Sequence, residues 1–191
     1  MKFRLYLVLA AVAFLSGSAE AQNFTTLHTF DPYSWVGNSL ISSQSSLYGA
    51  VYGGTNGGSS YGTIFAINSD GSDYTVLHSF SNGLTGTYGG GLCLSGDKLY
   101  GVCGPGWQWT SQNTNTNGAI FSLNTDGTSY NLIYTFPNQN QGVVVSGTAN
   151  LIISGNTIFG VTGTGNGTAL GTIFQLNTDG TGERTRHLEP V

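Results

Sequence analysis

The chain has 191 residues, of which 7% are charged, 39% are hydrophobic and 30 are glycine, with a formal net charge of −4. So little Lys and Arg excludes the basic surface that displaces counterions from nucleic-acid phosphates, and it argues equally against an anionic membrane surface. What covers the exterior is then hydroxyl and amide, which suits the extracellular space and can hydrogen-bond sugars, while regularly spaced Ile, Leu, Val, Phe and Tyr supply a core and exclude disorder.

Residues 1–21 read as a signal peptide. Lys2 and Arg4 precede the apolar run LYLVLAAVAFL (5–15), and Ala19 and Ala21 occupy the small-residue positions of a cleavage site. The run is too short for the roughly 20 residues of a membrane-spanning helix. The expectation is a bacterial chain that begins near Gln22, is secreted or displayed on the cell surface, and has no membrane span after cleavage. Lys98, Arg184 and Arg186 are its remaining basic side chains.

Residues 22–180 repeat one unit, over about 37–80, 84–136 and 147–180. Each unit opens with an apolar pair and a turn: SLISSQSS (39–46), GLCLSGDK (91–98) and NLIISGNT (150–157). A second phrase follows as SLYGAVYGG (46–54), KLYGVCGPG (98–106) and TIFGVTGTG (157–165). The third is GTIFAINSDG (62–71), GAIFSLNTDG (118–127) and GTIFQLNTDG (171–180), and the fourth is YTVLHSF (74–80) and YNLIYTF (130–136). All are rich in β-branched and aromatic residues and bounded by turn formers, which predicts strands. In the Asn-Ser/Thr-Asp-Gly phrase, Asp caps its own turn and Gly takes the left-handed φ that closes a hairpin. Four short strands in about 50 residues is the grammar of a propeller blade. The fold class expected is all-β: tandem four-stranded antiparallel units, β-propeller-like, about three blades, open or partial.

The phrases LYG-x-x-x-G, GTIF-x-L-N-T-D-G and Y-x-x-L-x-x-F, in three concordant copies, resemble the GloVer tandem repeat of exported bacterial proteins. The resemblance covers nearly all of 22–180 and implies a secreted or surface-displayed repeat protein whose relatives carry varied C-terminal anchors. The sequence departs from that pattern in its few repeats and in showing no terminal apolar helix with basic residues.

The ends are irregular. FTTLHTF (24–30) matches a fourth strand with no first three before it, and the third unit runs into a divergent tail, TGERTRHLEPV (181–191). Alignment on Asp-Gly places Glu183, Arg186 and Glu189 where the other units carry buried Tyr, Leu or Ile, and Phe, so no fourth strand is expected there. Three blades fall below the usual propeller range of about 4–8. The preferred reading is a truncated portion of a longer propeller. An open stack, a solvated tail after closure, and association of copies through open sheet edges are the alternatives.

Few residues point to chemistry. His28 and His78 recur with the repeat, as do Asp70, Asp126 and Asp179, and both sets read as architecture rather than as catalytic or calcium-binding groups. Cys93 and Cys103 form a possible disulfide in an exported chain. A two-residue loop at Gly96-Asp97 sets Cys93 opposite Tyr100 and sends Cys103 to the other face; a longer loop brings both to one face. Two small buried thiols fit equally well. No nucleophile triad, metal cluster or phosphate loop assembles, and neither a catalytic residue, a metal nor a cofactor is expected. Asp31, Asp73 and Asp97 are unplaced carboxylates that leave glycoside hydrolysis open.

The least repetitive stretch is Gly104–Asn113, where Trp107, Gln108 and Trp109 sit among amides and hydroxyls between the second and third strands of unit two. Paired Trp can stack on a sugar ring while polar neighbours bond its hydroxyls, although end-capping of the core explains them too. Trp35 is a further loop aromatic that can join them. The reading is a non-catalytic exported repeat protein for surface interaction or glycan binding, with glycans or other surface proteins as partners. The alternatives are an extracellular carbohydrate-active enzyme, or a fragment of one, and a purely structural spacer.

Overall fold

The computed structural model describes residues 24–32, 34–36, 40–52, 62–80, 91–103, 116–137, 143–144, 151–164 and 172–187. The signal segment therefore lies outside the described residues. Among those described there are fourteen strands and no helix: β1 (Trp35–Val36), β2 (Ile41–Ser43), β3 (Ser46–Tyr52), β4 (Thr63–Asn68), β5 (Thr75–Ser79), β6 (Leu92–Ser95), β7 (Lys98–Cys103), β8 (Thr116–Asn124), β9 (Asn131–Pro137), β10 (Val143–Val144), β11 (Ile152–Ser154), β12 (Thr157–Thr164), β13 (Thr172–Asn177) and β14 (Arg184–His187). They form three antiparallel sheets, ordered β1-β3-β4-β5 with β2 also on β3, β6-β7-β8-β9, and β10-β12-β13-β14 with β11 also on β12. The fold is all-β and propeller-like, one four-stranded unit per sequence repeat.

The repeated phrases show why each unit folds alike. In each Asn-x-Asp-Gly turn the glycine has positive φ, 89° at Gly71, 84° at Gly127 and 85° at Gly180, and its N–H donates to the Asn carbonyl at 2.9 Å. The glycine of LYG or IFG serves a different purpose. Gly49, Gly101 and Gly160 pair across the ladder with Phe65, Phe121 and Phe174. Each Phe ring lies over its glycine, where a Cβ would collide with ring carbons Cζ and Cε1. Phe121 is fully buried and Phe65 and Phe174 are 2% exposed. Burying such a side chain contributes on the order of 1.5–3 kcal/mol.

These Phe-centred faces build the core between sheets. The second sheet lays Phe121, Leu123, Leu99 and Leu92 against Tyr48, Ile64 and Phe80 of the first. The third lays Phe174, Leu176, Ile158 and Leu151 against Tyr100, Val102, Ile120 and Phe136 of the second. The short strands β2, β6 and β11 are neighbours, β6 touching both others. Each sheet thus presents its Phe face backward and its Tyr/Ile face forward.

Aromatic rings stitch successive units at their outer strands. His78 stacks on Tyr130 at 3.8 Å, and Phe80 meets Phe121 edge-on at 5.8 Å. Residues 24–30 reproduce this geometry against the first sheet, His28 stacking on Tyr74 at 3.9 Å and Phe30 lying 5.2 Å from Phe65. Leu27 stands over Gly71 as Leu77 stands over Gly127. The segment expected to be an orphan fourth strand belongs to none of the three sheets, yet it packs as a fourth strand packs.

The C-terminal tail corrects the other expectation. The third unit does have a fourth strand, because β14 pairs with β13 through Thr172↔His187, Ile173↔Arg186 and Phe174↔Thr185. Its register differs from that of its counterparts. In β5 and β9 a bulge falls at Leu77 and Ile133, so that Ile64 pairs with His78 and Ile120 with Tyr134. The extra residue turns Leu77 and Ile133 into the core clusters between sheets. The tail carries Arg186 at that position, with no apolar side chain there to turn inward, and β14 runs in plain register. Glu183 is exposed at the place of Tyr74 and Tyr130, and Glu189 lies outside the described residues. Tyr134, which has no ring to stack on there, is pushed up in pKa by burial and then by its hydrogen bond to Glu183 and that carboxylate's charge.

Candidate functional site

The register gives each sheet two dissimilar ends. At one end lie the tight turns: Ser43↔Ser46, Ser95↔Lys98 and Ser154↔Thr157 close the first hairpins. The Asn-x-Asp-Gly turns lie at the same end, since Ser46 pairs with Asn68 and Lys98 with Asn124. At the other end the second strands stop at Tyr52, Cys103 and Thr164, and the third strands start at Thr63, Thr116 and Thr172. All three connections between them leave from that loop end.

Carboxylates of the turn end are committed to structure. Oδ1 of Asp126 accepts from the Thr128 N–H at 2.9 Å and from its hydroxyl at 2.6 Å. Asp70 does the same with Ser72, and Asp179 with Thr181. These hydrogen bonds hold all three carboxyls below the ordinary 3.8. Such acids stay ionised and capped. Among the described residues no three His, Cys, Asp or Glu side chains are grouped as a metal ion would require.

Both cysteines are free thiols, and the register explains why no bridge forms. The hairpin loop has two residues, Gly96-Asp97, so Cys93 pairs with Tyr100 while Cys103 pairs with Ala119 across the next ladder. Cys93 packs in the core between the second and third sheets, and Cys103 in the core between the first and second. One thiol takes the position of Ile41 and Ile152 in the sister units, the other that of Val51 and Thr162. They serve as small packing residues, and burial pushes both up to about 12. Cys103 also donates weakly to the Ala119 carbonyl at 3.5 Å.

Trp107, Gln108 and Trp109 lie outside the described residues, within the connection that joins β7 to β8 at the loop end. Trp35 is not in a loop, as expected, but in β1, paired with Tyr52 at the tip of β3. That pairing sets its backbone at the loop end of the first sheet. β10 makes the matching addition to the third, with Val143 paired to Thr164. Beneath this end of the third unit, the hydroxyls of Thr162 and Thr172 share a buried 2.6 Å hydrogen bond. The sequence reading missed the forward face of the third sheet, where Ile152, Phe159, Val161 and Ile173 are 67%, 37%, 52% and 49% exposed. The signal was available in the repeat, which aligns Phe159, Val161 and Ile173 with Tyr48, Ala50 and Ile64 and with Tyr100, Val102 and Ile120.

No protein-family model matches the chain, and no curated protein matches it. Among solved structures it is similar to a GH43 beta-1,3-galactosidase, at 14% identity and a TM-score of 0.46 over 74% of this chain. The matched region spans 29% of that galactosidase chain. A likeness at such identity and TM-score assigns no role to any residue of this chain. No helix among the described residues is long and apolar enough to cross a membrane.

Proposed function

We propose that the protein is an exported, non-catalytic repeat protein of the GloVer type, and that it binds neutral glycans at the loop end of its stack. The observation that carries this reading is the placement of Trp35. Its strand pairs at Tyr52, at the end from which the connection bearing Trp107, Gln108 and Trp109 departs. Planar aromatics beside amides and hydroxyls suit a sugar, which offers apolar ring faces and many hydroxyls but no charge. The acids and the histidine that recur with the repeat have structural tasks: Asp70, Asp126 and Asp179 cap turns, and His78 is stacked on Tyr130 and held below its ordinary 6.5 by burial.

A glycan array probed with wild type and with a Trp107→Ala, Trp109→Ala double variant tests the proposal. The expected result is binding to neutral glycans by wild type and its loss in the variant. An array on which folded wild type captures nothing overturns it.

A further inference from the structure

We propose that Asp31 sets the specificity of the loop-end site: its carboxylate accepts two adjacent hydroxyls of a neutral sugar and turns away sugars that carry a negative charge. The inference rests on the glycan reading above and narrows the ligand within it.

Charge is divided between the two ends of the sheets. Asp70, Asp126 and Asp179 lie in the Asn-x-Asp-Gly turns, and Asp97 lies in the tight turn of the second sheet. Asp73 accepts from the Asn68 side chain at 2.8 Å beside the first of those turns, and Glu183 directly precedes β14 beside the third. The loop end is different. The connections that leave it between second and third strands read GGTNGGSSY (53–61), GPGWQWTSQNTN (104–115) and GNGTALG (165–171), without a charged residue. Those that leave it after β5 and β9, SNGLTGTYGGG (81–91) and NQNQG (138–142), have none either. Among the described residues, Asp31 is the one carboxylate at this end.

The neighbours of Asp31 put it there. Phe30 is docked on the first sheet, 5.2 Å from Phe65 between ring centroids. It takes the place that Phe80 takes in the next joint, and the Phe80 N–H donates to the Gly62 carbonyl just ahead of β4, at the loop end. The chain then reverses, as the Ser34 N–H donates to the Asp31 carbonyl at 2.9 Å. Pro32 supplies the fixed φ that the second position of such a turn favours. The turn delivers the chain into β1, where Trp35 pairs with Tyr52. Asp31 is therefore exposed at the loop end, one turn away from Trp35.

A carboxylate in that position suits a sugar. A ring stacked on an indole presents its hydroxyls around its edge, where an acceptor beside the indole meets them. Two oxygens with about four acceptor sites match two neighbouring O–H donors, and hydrogen bonds to a charged acceptor are about twice as strong as neutral ones. Asp31 also interacts within its own chain, and a carboxylate has acceptor sites for both. The same charge discriminates. The loop-end connections hold no Lys or Arg to balance it, so a uronic acid or sulfated sugar meets a like charge there.

Asp31→Asn tests this. Asn keeps the size and the turn preference of Asp, so far-UV circular dichroism should be unchanged. Trp emission is followed while both proteins are titrated with three sugars. These are a neutral oligosaccharide that wild type captures on an array, its derivative O-methylated at one hydroxyl of the diol, and its uronic acid counterpart. Wild type should bind the parent sugar about 10-fold or more tightly than the O-methyl derivative and ignore the uronic acid. The variant should bind the parent about 10-fold more weakly, cease to distinguish the O-methyl derivative, and gain the uronic acid. A variant that binds the parent as wild type does overturns the proposal. So does a variant that is weaker but keeps the wild-type order of preference, which means that Asp31 only holds the turn. Both of those outcomes leave the glycan reading standing, whereas a wild type that captures no sugar overturns the two together.

Discussion

Replacing Gly101 by Ala should damage the core between the first and second sheets more than any other single methyl. Gly101 pairs with Phe121, which is fully buried. An added Cβ meets ring carbons Cζ and Cε1 of that Phe, and Leu92 Cδ2 at 2.9 Å. The ring has nowhere to swing, since Phe80 lies 5.8 Å and Tyr130 5.7 Å away between centroids. Overpacking of this kind costs roughly 1–3 kcal/mol, and outright expulsion of the ring approaches the roughly 3–5 kcal/mol of a Phe→Ala change. At about 2–4 °C per kcal/mol for a domain of this size, overpacking alone lowers the Tm by roughly 2–12 °C. The assay is urea and thermal unfolding of a double-mutant cycle with Phe121→Leu, which removes the ring carbons that the new methyl strikes. The double variant should be more stable than the sum of the singles predicts, by roughly 0.5–3 kcal/mol. Additivity, or a neutral Gly101→Ala, would refute the idea that the glycine exists to make room for the ring.

Tyr130→Phe removes a hydroxyl that is buried without a hydrogen-bond partner, and should raise the urea midpoint by an amount worth about 1 kcal/mol; a lower midpoint would show that the hydroxyl is bonded. Burial lowers the pKa of His78 from 6.5, so its neutral form is the one the fold favours; its contribution is complete above pH 6.5 and fades as pH falls through the depressed value. A His78→Phe variant should lose that slope while keeping the stacked ring. The three turn aspartates, also depressed, add a second loss of stability as pH falls below 3.8, and an Asp70→Asn, Asp126→Asn, Asp179→Asn variant should flatten it in the same titration. Without any reductant, unfolded protein should take up two equivalents of an alkylating reagent, and native protein should react slowly because both thiols are raised to about 12. No uptake after unfolding would mean a disulfide.

The strands, their order and the turn chemistry were legible because the repeat wrote each of them three times. LYG, GTIF and NTDG fix a strand, a partner strand and a turn in one pattern, while of the two loop lengths the sequence left open around Gly96-Asp97 the structure has the shorter, which sets Cys93 against Tyr100. The bulge at Leu77 and Ile133 was not read from the sequence, although the spacing of three in Y-x-x-L-x-x-F departs from alternation and puts the middle residue of an unbulged strand on the opposite face. The same blindness hid β14. Charge at Arg186 argues against a bulged strand that turns this position inward, but a strand in plain register remains open to it. Residues 24–30 were recognised by pattern as a fourth strand, yet ladder pairing depends on a neighbouring third strand that sequence cannot supply. The candidate site was the least legible part, because Trp107 and Trp109 belong to the one connection the repeat does not copy. Repetition reveals scaffold, and what departs from it must be argued singly.

The chain has three Trp, at 35, 107 and 109, and all three belong to the proposed glycan site, so selectively excited Trp emission, free of the ten Tyr, reports on that site. Titrating the folded protein with neutral oligosaccharides while following Trp emission is the most direct measurement. The account predicts a saturable change in emission that persists at high salt, because the contacts are stacking and hydrogen bonds to an uncharged ligand. Emission unchanged by every neutral glycan would contradict it, as would a response that salt abolishes.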